Sequence, residues 1–199
     1  MSNEIETHPW APWIPEGSKV LIMGSFPPAP KRWAMDFYYP NRTNDFWKVA
    51  GIIFEGDAEA FYDRSSRSYH LDKIKEMLTD KGIALSDTGR RIRRLKDNAS
   101  DKFLEIVEPN DVCGLVERMP ECRAIATTGE KAAGVLAGLT GTEVPAVGAS
   151  VEWHRGDGRT IALWRLPSTS RAYPLAPEKK AEIYRRFFES AGISVFPAE

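Results

Sequence analysis

An α/β fold built on a parallel sheet is what this sequence predicts. Two observations lead there: four short apolar runs that lack clean alternation, and helical patterns lying between them. The runs are KVLIMGS (19 to 25), GIALSD (82 to 87), RAIATTG (123 to 129) and TIALWRLP (160 to 167). A strand with one wet face alternates apolar with polar residues; these do not, so each reads as a central strand covered on both faces. Strands that alternate with helices pair in parallel, because each crossover helix returns the chain to the same end of the sheet.

Taken in order, the first run leaves the sheet through GSFPP, where Pro27 and Pro28 make a rigid exit. Asn44 then precedes an apolar-periodic stretch of Phe46, Trp47, Val49, Ala50, Ile52 and Ile53, which places its side chain at an N-cap and predicts a helix over 44 to 54. A helix over 69 to 81 feeds the second strand, which ends in SDTG. The basic run GRRIRRLKDN follows, with Arg90, Arg91, Arg93, Arg94 and Lys96, and reads either as a solvated face or as a phosphate contact. Helical patterns at 100 to 118, interrupted by Pro109, and at 129 to 138 flank the third strand and its TTGEK exit. The region 140 to 158 reads as a long loop with room for a short hairpin at Gly156 to Gly158. The fourth strand then runs into LPSTSR, and a last helix covers 177 to 191. With no linker, repeat or low-complexity segment, one domain over residues 1–199 is expected.

Composition narrows the function classes. A chain of 199 residues with 42% hydrophobic residues can bury a substantial core. Its net charge of −1 excludes a polyelectrolyte binder, so any nucleic-acid contact must be local. No apolar run approaches the roughly 20 residues that span a bilayer, and the N-terminal MSNEIETHPWAPW is polar and acidic where a signal peptide would be basic and then apolar. A cytosolic, cytoplasmic protein without membrane contact is expected. Cys113 and Cys122 are too few for an iron-sulfur cluster or a four-cysteine zinc site, and His8, His70 and His154 show no metal spacing.

Parallel sheets bind ligands beyond the carboxyl ends of their strands, so GSFPP, SDTG, TTGEK and LPSTSR should line one crevice. GSFPP matches neither GxGxxG nor GxxxxGK[ST], and Ser25 is not in a GxSxG elbow, which argues against nucleotide-triphosphate, dinucleotide and acyl-hydrolase sites. LPSTSR offers three hydroxyls and Arg171, suited to a phosphodiester and equally to a Ser/Thr turn at a strand end. The densest segment is YYPNRTNDFWK, from Tyr38 to Lys48, with four aromatics, a proline and two asparagines around a helix start. It reads either as a ring-lined ligand site or as an elbow packing the first helix onto the sheet.

Set together and in this order, GSFPP, YYPNRTNDFWK, GIALSD and LPSTSRAY resemble the uracil-DNA glycosylase superfamily. The patterns are most similar to its mismatch-specific and thymine-DNA glycosylase branch and to the hypoxanthine-DNA (deoxyinosine) glycosylases, and the resemblance runs from about Val20 to Ala191. It implies a three-layer α/β/α sandwich with a central four-stranded parallel sheet, and a monofunctional DNA N-glycosylase that flips a damaged nucleotide and hydrolyses its N-glycosidic bond. DNA would be the partner, as duplex or single strand; a monomer with no metal or cofactor is implied.

Carried over by position, Tyr39 would stack on the flipped base and Asp87 would read its edge. Ser168, Thr169 and Ser170 would clamp backbone phosphate, and Arg171 or a neighbour would fill the gap in the duplex. One departure matters: Phe26 stands where the first signature normally carries Asp, Asn or Glu to place the attacking water. The hypoxanthine-type enzymes resemble this chain in lacking that residue, and there the asparagine aligned with Asn44 takes the catalytic role. Asn44 is therefore expected to be catalytic, with Phe26 as a second wall of the base pocket and the amides of Ser25 and Phe26 donating to the leaving base. An amide has no useful basicity, so Asn44 would act by placing water, by its dipole or by donating a hydrogen bond.

Asp87 could accept from the ring N–H of uracil or hypoxanthine, which cytosine and adenine lack. It would be either protonated or a recognition group, and a helix cap or a partner for the nearby arginines is the plain alternative. Two rival functions stay open: a catalytically silent DNA- or nucleotide-binding domain, and a hydrolase or transferase of free nucleosides.

Overall fold

The structure, a computed structural model, describes residues 4–95 and 103–197. In chain order these form β1 (Ile5–Thr7), β2 (Val20–Gly24), α1 (Phe46–Phe54), β3 (Tyr62–Asp63), β4 (Ser68–Tyr69), α2 (Leu71–Lys81), β5 (Ile83–Asp87), β6 (Gly89–Arg94), β7 (Leu104–Pro109), α3 (Val112–Glu117), β8 (Ala124–Thr128), α4 (Glu130–Thr140), β9 (Ala149–His154), β10 (Thr160–Leu166) and α5 (Pro177–Ser190).

The central sheet has the order β5-β2-β8-β10-β9. Its first four strands are the four apolar runs, paired in parallel, with Ile22 beside both Leu85 and Ala126 and with Trp164 beside Ala126. Period-two burial divides each strand between two cores. Val20, Ile22, Ile83, Leu85, Ala124, Ala126 and Leu166 face the layer that includes α1, α2 and α5. Leu21, Met23, Ala84, Ile125, Ile161 and Leu163 face the layer that includes α3 and α4. Both faces are apolar because both are covered, the physical reason the strands do not alternate.

Three local expectations change. A fifth strand, β9, joins the sheet antiparallel to β10, so the predicted long loop holds an edge strand, with Gly158 at the hairpin turn. The stretch after residue 103 is not helical up to Pro109: β7 pairs with β6, β6 pairs with β1, and only Val112–Glu117 is helix. The basic run is therefore largely strand β6, with Ile92 buried and its arginines flanking it, while Lys96 lies outside the described residues. Finally, α1 begins at Phe46 with Asp45 at its N-cap position, one residue later than Asn44.

Strand order reverses at β2: the chain passes from β2 to β5 on one side and later to β8 on the other. A crevice opens at the carboxyl ends where such a reversal occurs. Among the described residues no helix is long and apolar enough to cross a membrane.

Candidate active site

A cleft of about 700 Å³ lies at the carboxyl ends of β2, β5, β8 and β10. It joins the four predicted exits: Ser25 and Phe26 from the first, Asp87 from the second, Thr128 from the third, and Ser168, Thr169, Ser170 and Arg171 from the fourth. Tyr39 and Asn44 complete it. All nine candidate residues named from the sequence thus meet in one place.

The aromatic segment both packs and lines. Trp47 is buried in the core and donates its Nε1–H to the Tyr38 carbonyl at 3.1 Å. Phe46 stacks under Tyr39 with ring centroids 3.8 Å apart and planes within 9°. Tyr39 has φ of 53°, a left-handed backbone that costs a non-glycine residue about 1–2 kcal/mol. That strain, the Phe46 stack and a 3.1 Å hydroxyl bond to Thr128 Oγ1 together fix the ring at the cleft. Burial, and secondarily the Asp87 carboxylate, pushes the Tyr39 phenol well above its ordinary range, so it remains neutral.

Asn44 Oδ1 accepts the Phe46 N–H at 2.9 Å. Only an amide oxygen can accept there, so the cap defines the rotamer: the oxygen faces the helix and the NH₂ is left as the group available to the cleft. Asp45, at the N-cap position, makes no capping bond because its carboxylate is used elsewhere. Its Oδ2 lies 2.9 Å from Lys180 Nζ, with side chains 6% and 0% exposed, and its Oδ1 lies 3.4 Å from Arg171 Nε. Lys180 also donates to the Ser170 carbonyl at 3.2 Å, and the Asp45 N–H donates to the Thr169 carbonyl at 2.8 Å. This buried pair ties the Asn44 segment to the Ser168–Arg171 loop.

Within that loop, Ser168 Oγ accepts from the Ser170 N–H and Ser170 Oγ from the Ala172 N–H, each at 3.2 Å, so the Ser/Thr turns coexist with the cleft position. Thr169 is buried, a wall more than a reaching hydroxyl. Arg171 is half-exposed, held to Asp45 and to the Arg42 carbonyl.

Asp87 sits at the end of β5, buried. His8 Nε2 is 2.9 Å from its Oδ2, while His8 Nδ1 is 2.8 Å from the Trp10 carbonyl. His8 stacks on Tyr38 and meets Phe26 edge-on at a centroid distance of 5.2 Å. The contact turns Oδ2 away, leaving Oδ1 beside Gly24: a Cβ there would lie 2.6 Å from Oδ1 and 3.4 Å from the Tyr39 hydroxyl. Glycine is needed at that position because carboxylate and phenol occupy the space.

The arginines of β6 divide. Arg90 and Arg91 pair with Glu108 and Arg93 with Glu105 across β7, on the outer face. Arg94 turns inward, donating to the Pro27 carbonyl at 2.7 Å and to Glu6 at 2.8 Å, with its guanidinium over the Phe26 ring. It braces the first exit loop and lines the cleft. Among the described residues no three His, Cys, Asp or Glu side chains are grouped to hold a metal ion.

His8, Asp45, Arg94 and Lys180 were not singled out for the site from sequence. Lys180 did carry a signal: it falls in helical register with Tyr184, Phe187 and Phe188, on the face that α5 buries.

No protein-family model matches the chain. It is 30% identical over 120 residues to the hypoxanthine DNA glycosylase of Methanosarcina acetivorans, an alignment covering 60% of this chain and 68% of that protein. Its fold is similar to a solution NMR structure from Methanosarcina acetivorans, described as a candidate uracil DNA glycosylase. The TM-score is 0.58 at 24% identity, over 94% of this chain and 99% of that one. The likeness of fold, the kinship in sequence and the cleft at the strand ends have one common explanation: the chain belongs to the uracil-DNA glycosylase superfamily, with hypoxanthine DNA glycosylase among its relatives.

Proposed function

We propose that this protein is a DNA glycosylase that hydrolyses the N-glycosidic bond of a flipped, deaminated base, uracil or hypoxanthine. One observation carries the reading: stacking ring, base-edge acceptor, amide donor and hydroxyl-rich loop converge on a single cleft, in a chain whose relative is a hypoxanthine DNA glycosylase.

A flipped base would lie on the open face of Tyr39, whose other face rests on Phe46. Phe26 supplies a second wall. Asp87 Oδ1 would accept from uracil N3–H or hypoxanthine N1–H; the corresponding nitrogens of cytosine and adenine are acceptors and would repel a carboxylate. His8, bonded to Oδ2, draws charge from the carboxylate and lessens its opposition to the negative charge that builds on the departing base.

In the reaction, water oxygen bonds to C1′ as the C1′–N bond breaks, its proton passing to solvent and the electron pair leaving with the base. Positive charge grows on the sugar and negative charge on the base. With its oxygen used by the helix cap, Asn44 would contribute its N–H dipole, donating to the leaving base together with the backbone amide of Phe26. Such preorganised donors act where charge develops and are worth about 10²–10³ in rate each. Ser168, Ser170 and Arg171 would hold the phosphates flanking the flipped sugar, with Thr169 as their buried support. Flipping costs a few kcal/mol and is cheapest at mismatched pairs, which favours deaminated sites.

The test is cleavage of oligonucleotides carrying one deoxyuridine or one deoxyinosine, followed by alkali. Strand breaks at the substituted position support the proposal. Intact strands at stoichiometric enzyme would leave a silent DNA-binding domain.

A further inference from the structure

Beside the cleft lies a second cavity, of about 380 Å³, within the range of sites for small organic groups. It shares Thr43 and Arg171 with the cleft, so the two are separated by one wall. Its far side is the β3-β4 hairpin, where the Tyr62 and Tyr69 rings meet edge to face at 5.2 Å. Its charge is one-sided: Arg42, Lys48, Arg64 and Arg171 line it against a single carboxylate, Glu59. Glu59 is already bound by Lys48 at 3.4 Å and by Arg64 at 3.2 Å, whereas among the described residues the Arg42 guanidinium donates to no carboxylate and bonds the Tyr62 hydroxyl, at 3.4 Å.

Rings beside surplus cations suit a group that is planar at one end and anionic at the other. A nucleotide is such a group: aromatic faces take its base whatever the sequence, and guanidinium takes its phosphate. The common wall says which nucleotide. A strand that leaves the cleft over Thr43 and Arg171, the residues that line both, brings its next residue to this cavity.

We propose that the cavity binds the nucleotide adjacent to the flipped one on the same strand, its base against Tyr62 and Tyr69 and its phosphate between Arg42 and Arg171. This rests on the glycosylase reading in taking DNA as the ligand. It adds a contact that works on unpaired strands, because the neighbouring base must also leave its stack to enter.

The experiment is a binding cycle on single-stranded oligonucleotides containing one 2′-fluorinated, uncleavable deoxyuridine or deoxyinosine. The neighbouring nucleotide, 5′ or 3′, is replaced by an abasic spacer. On one side the spacer should weaken wild-type binding about tenfold, and on the other side little. Tyr62→Ala should bind the intact strand about tenfold more weakly and show no further loss with the spacer. Arg42→Gln, at an exposed position and so safe for folding, should lower the salt slope by about one. A spacer penalty equal on both sides, absent altogether, or undiminished in Tyr62→Ala would overturn the proposal, as would an unchanged salt slope in Arg42→Gln. Excision of ordinary deoxyuridine and deoxyinosine by the wild type is read in parallel: its failure would strike the glycosylase reading, while the spacer cycle stays readable as binding.

Discussion

Lys180 and Asp45 stand 135 residues apart in sequence and 2.9 Å apart in the fold, both buried. The pair joins the last helix to the start of the first, and its partners are the backbone of the Ser168–Arg171 loop. A buried ion pair is weak evidence for stability by itself, since desolvation offsets the attraction, but breaking one member leaves a charge with nowhere to go. Lys180→Met should therefore lower unfolding free energy by about 3–5 kcal/mol in urea titrations. The double variant Lys180→Met/Asp45→Asn should recover most of the loss while excision stays depressed, because the two halves of the site are no longer tied. Full excision in the double variant would show that the pair serves stability alone.

His8 anchors Asp87 from behind, and its bond to a charged partner is worth about 1.5–3 kcal/mol. His8→Phe preserves the stacking on Tyr38 but frees Oδ2. We expect kcat/KM on the preferred base to fall about tenfold to a hundredfold, with discrimination against undamaged bases reduced in the same assay. A variant with unchanged discrimination would remove His8 from base recognition.

Gly24→Ala forces a methyl to 2.6 Å from Asp87 Oδ1. Overpacking of this kind costs about 1–3 kcal/mol. The strand is rigid, so the carboxylate and the Tyr39 hydroxyl must move. Excision should drop about fivefold to a hundredfold by that scale, and unaltered excision would mean that Oδ1 does not sit at the base edge.

Buried phenols and a buried thiol give the protein an alkaline limit. Tyr38, Tyr39 and Tyr184 all titrate above their ordinary value of 10.0, burial being the largest cause in each. Burial also pushes Cys122 up from 9.0 to about 11. A group whose folded value is raised binds its proton more tightly when folded; its contribution is complete below the unfolded value and is lost as pH rises above it. Melting temperature should therefore be insensitive to these groups below about pH 9, and fall steadily above pH 10. Tyr39→Phe should fall less steeply. An identical alkaline slope in that variant would contradict the burial of its hydroxyl.

The sequence made the central strands readable because Val20 to Met23 and Ile83 to Leu85 are apolar on both faces, a pattern that tertiary context can only confirm. It misled at the surface. β9 carries Ser150, Glu152 and His154 on an edge strand, and β7 reads LEIVEP, where two glutamates three residues apart in a short apolar window suit a helix as readily as a strand. The site was legible where one segment holds several of its residues, as from Tyr38 to Lys48. It was illegible where a role depends on a distant partner: His8 meets Asp87 across 79 residues, and nothing local in HPWAPW announces it. Asn44 shows both sides: its side chain accepts the first helical N–H, as its position suggested, but the helix starts one residue later, with Asp45 at the N-cap position.

Excision by Asn44→Ala, beside the wild type on one duplex bearing a single deoxyinosine or deoxyuridine, tests the assignment most directly. The wild type should leave alkali-labile abasic sites. The variant should bind the same DNA about equally and cleave at least about 10²-fold more slowly, the scale set by loss of one preorganised donor. Wild-type rates in Asn44→Ala would take the chemistry away from Asn44, and no abasic site from the wild type would contradict glycosylase activity itself.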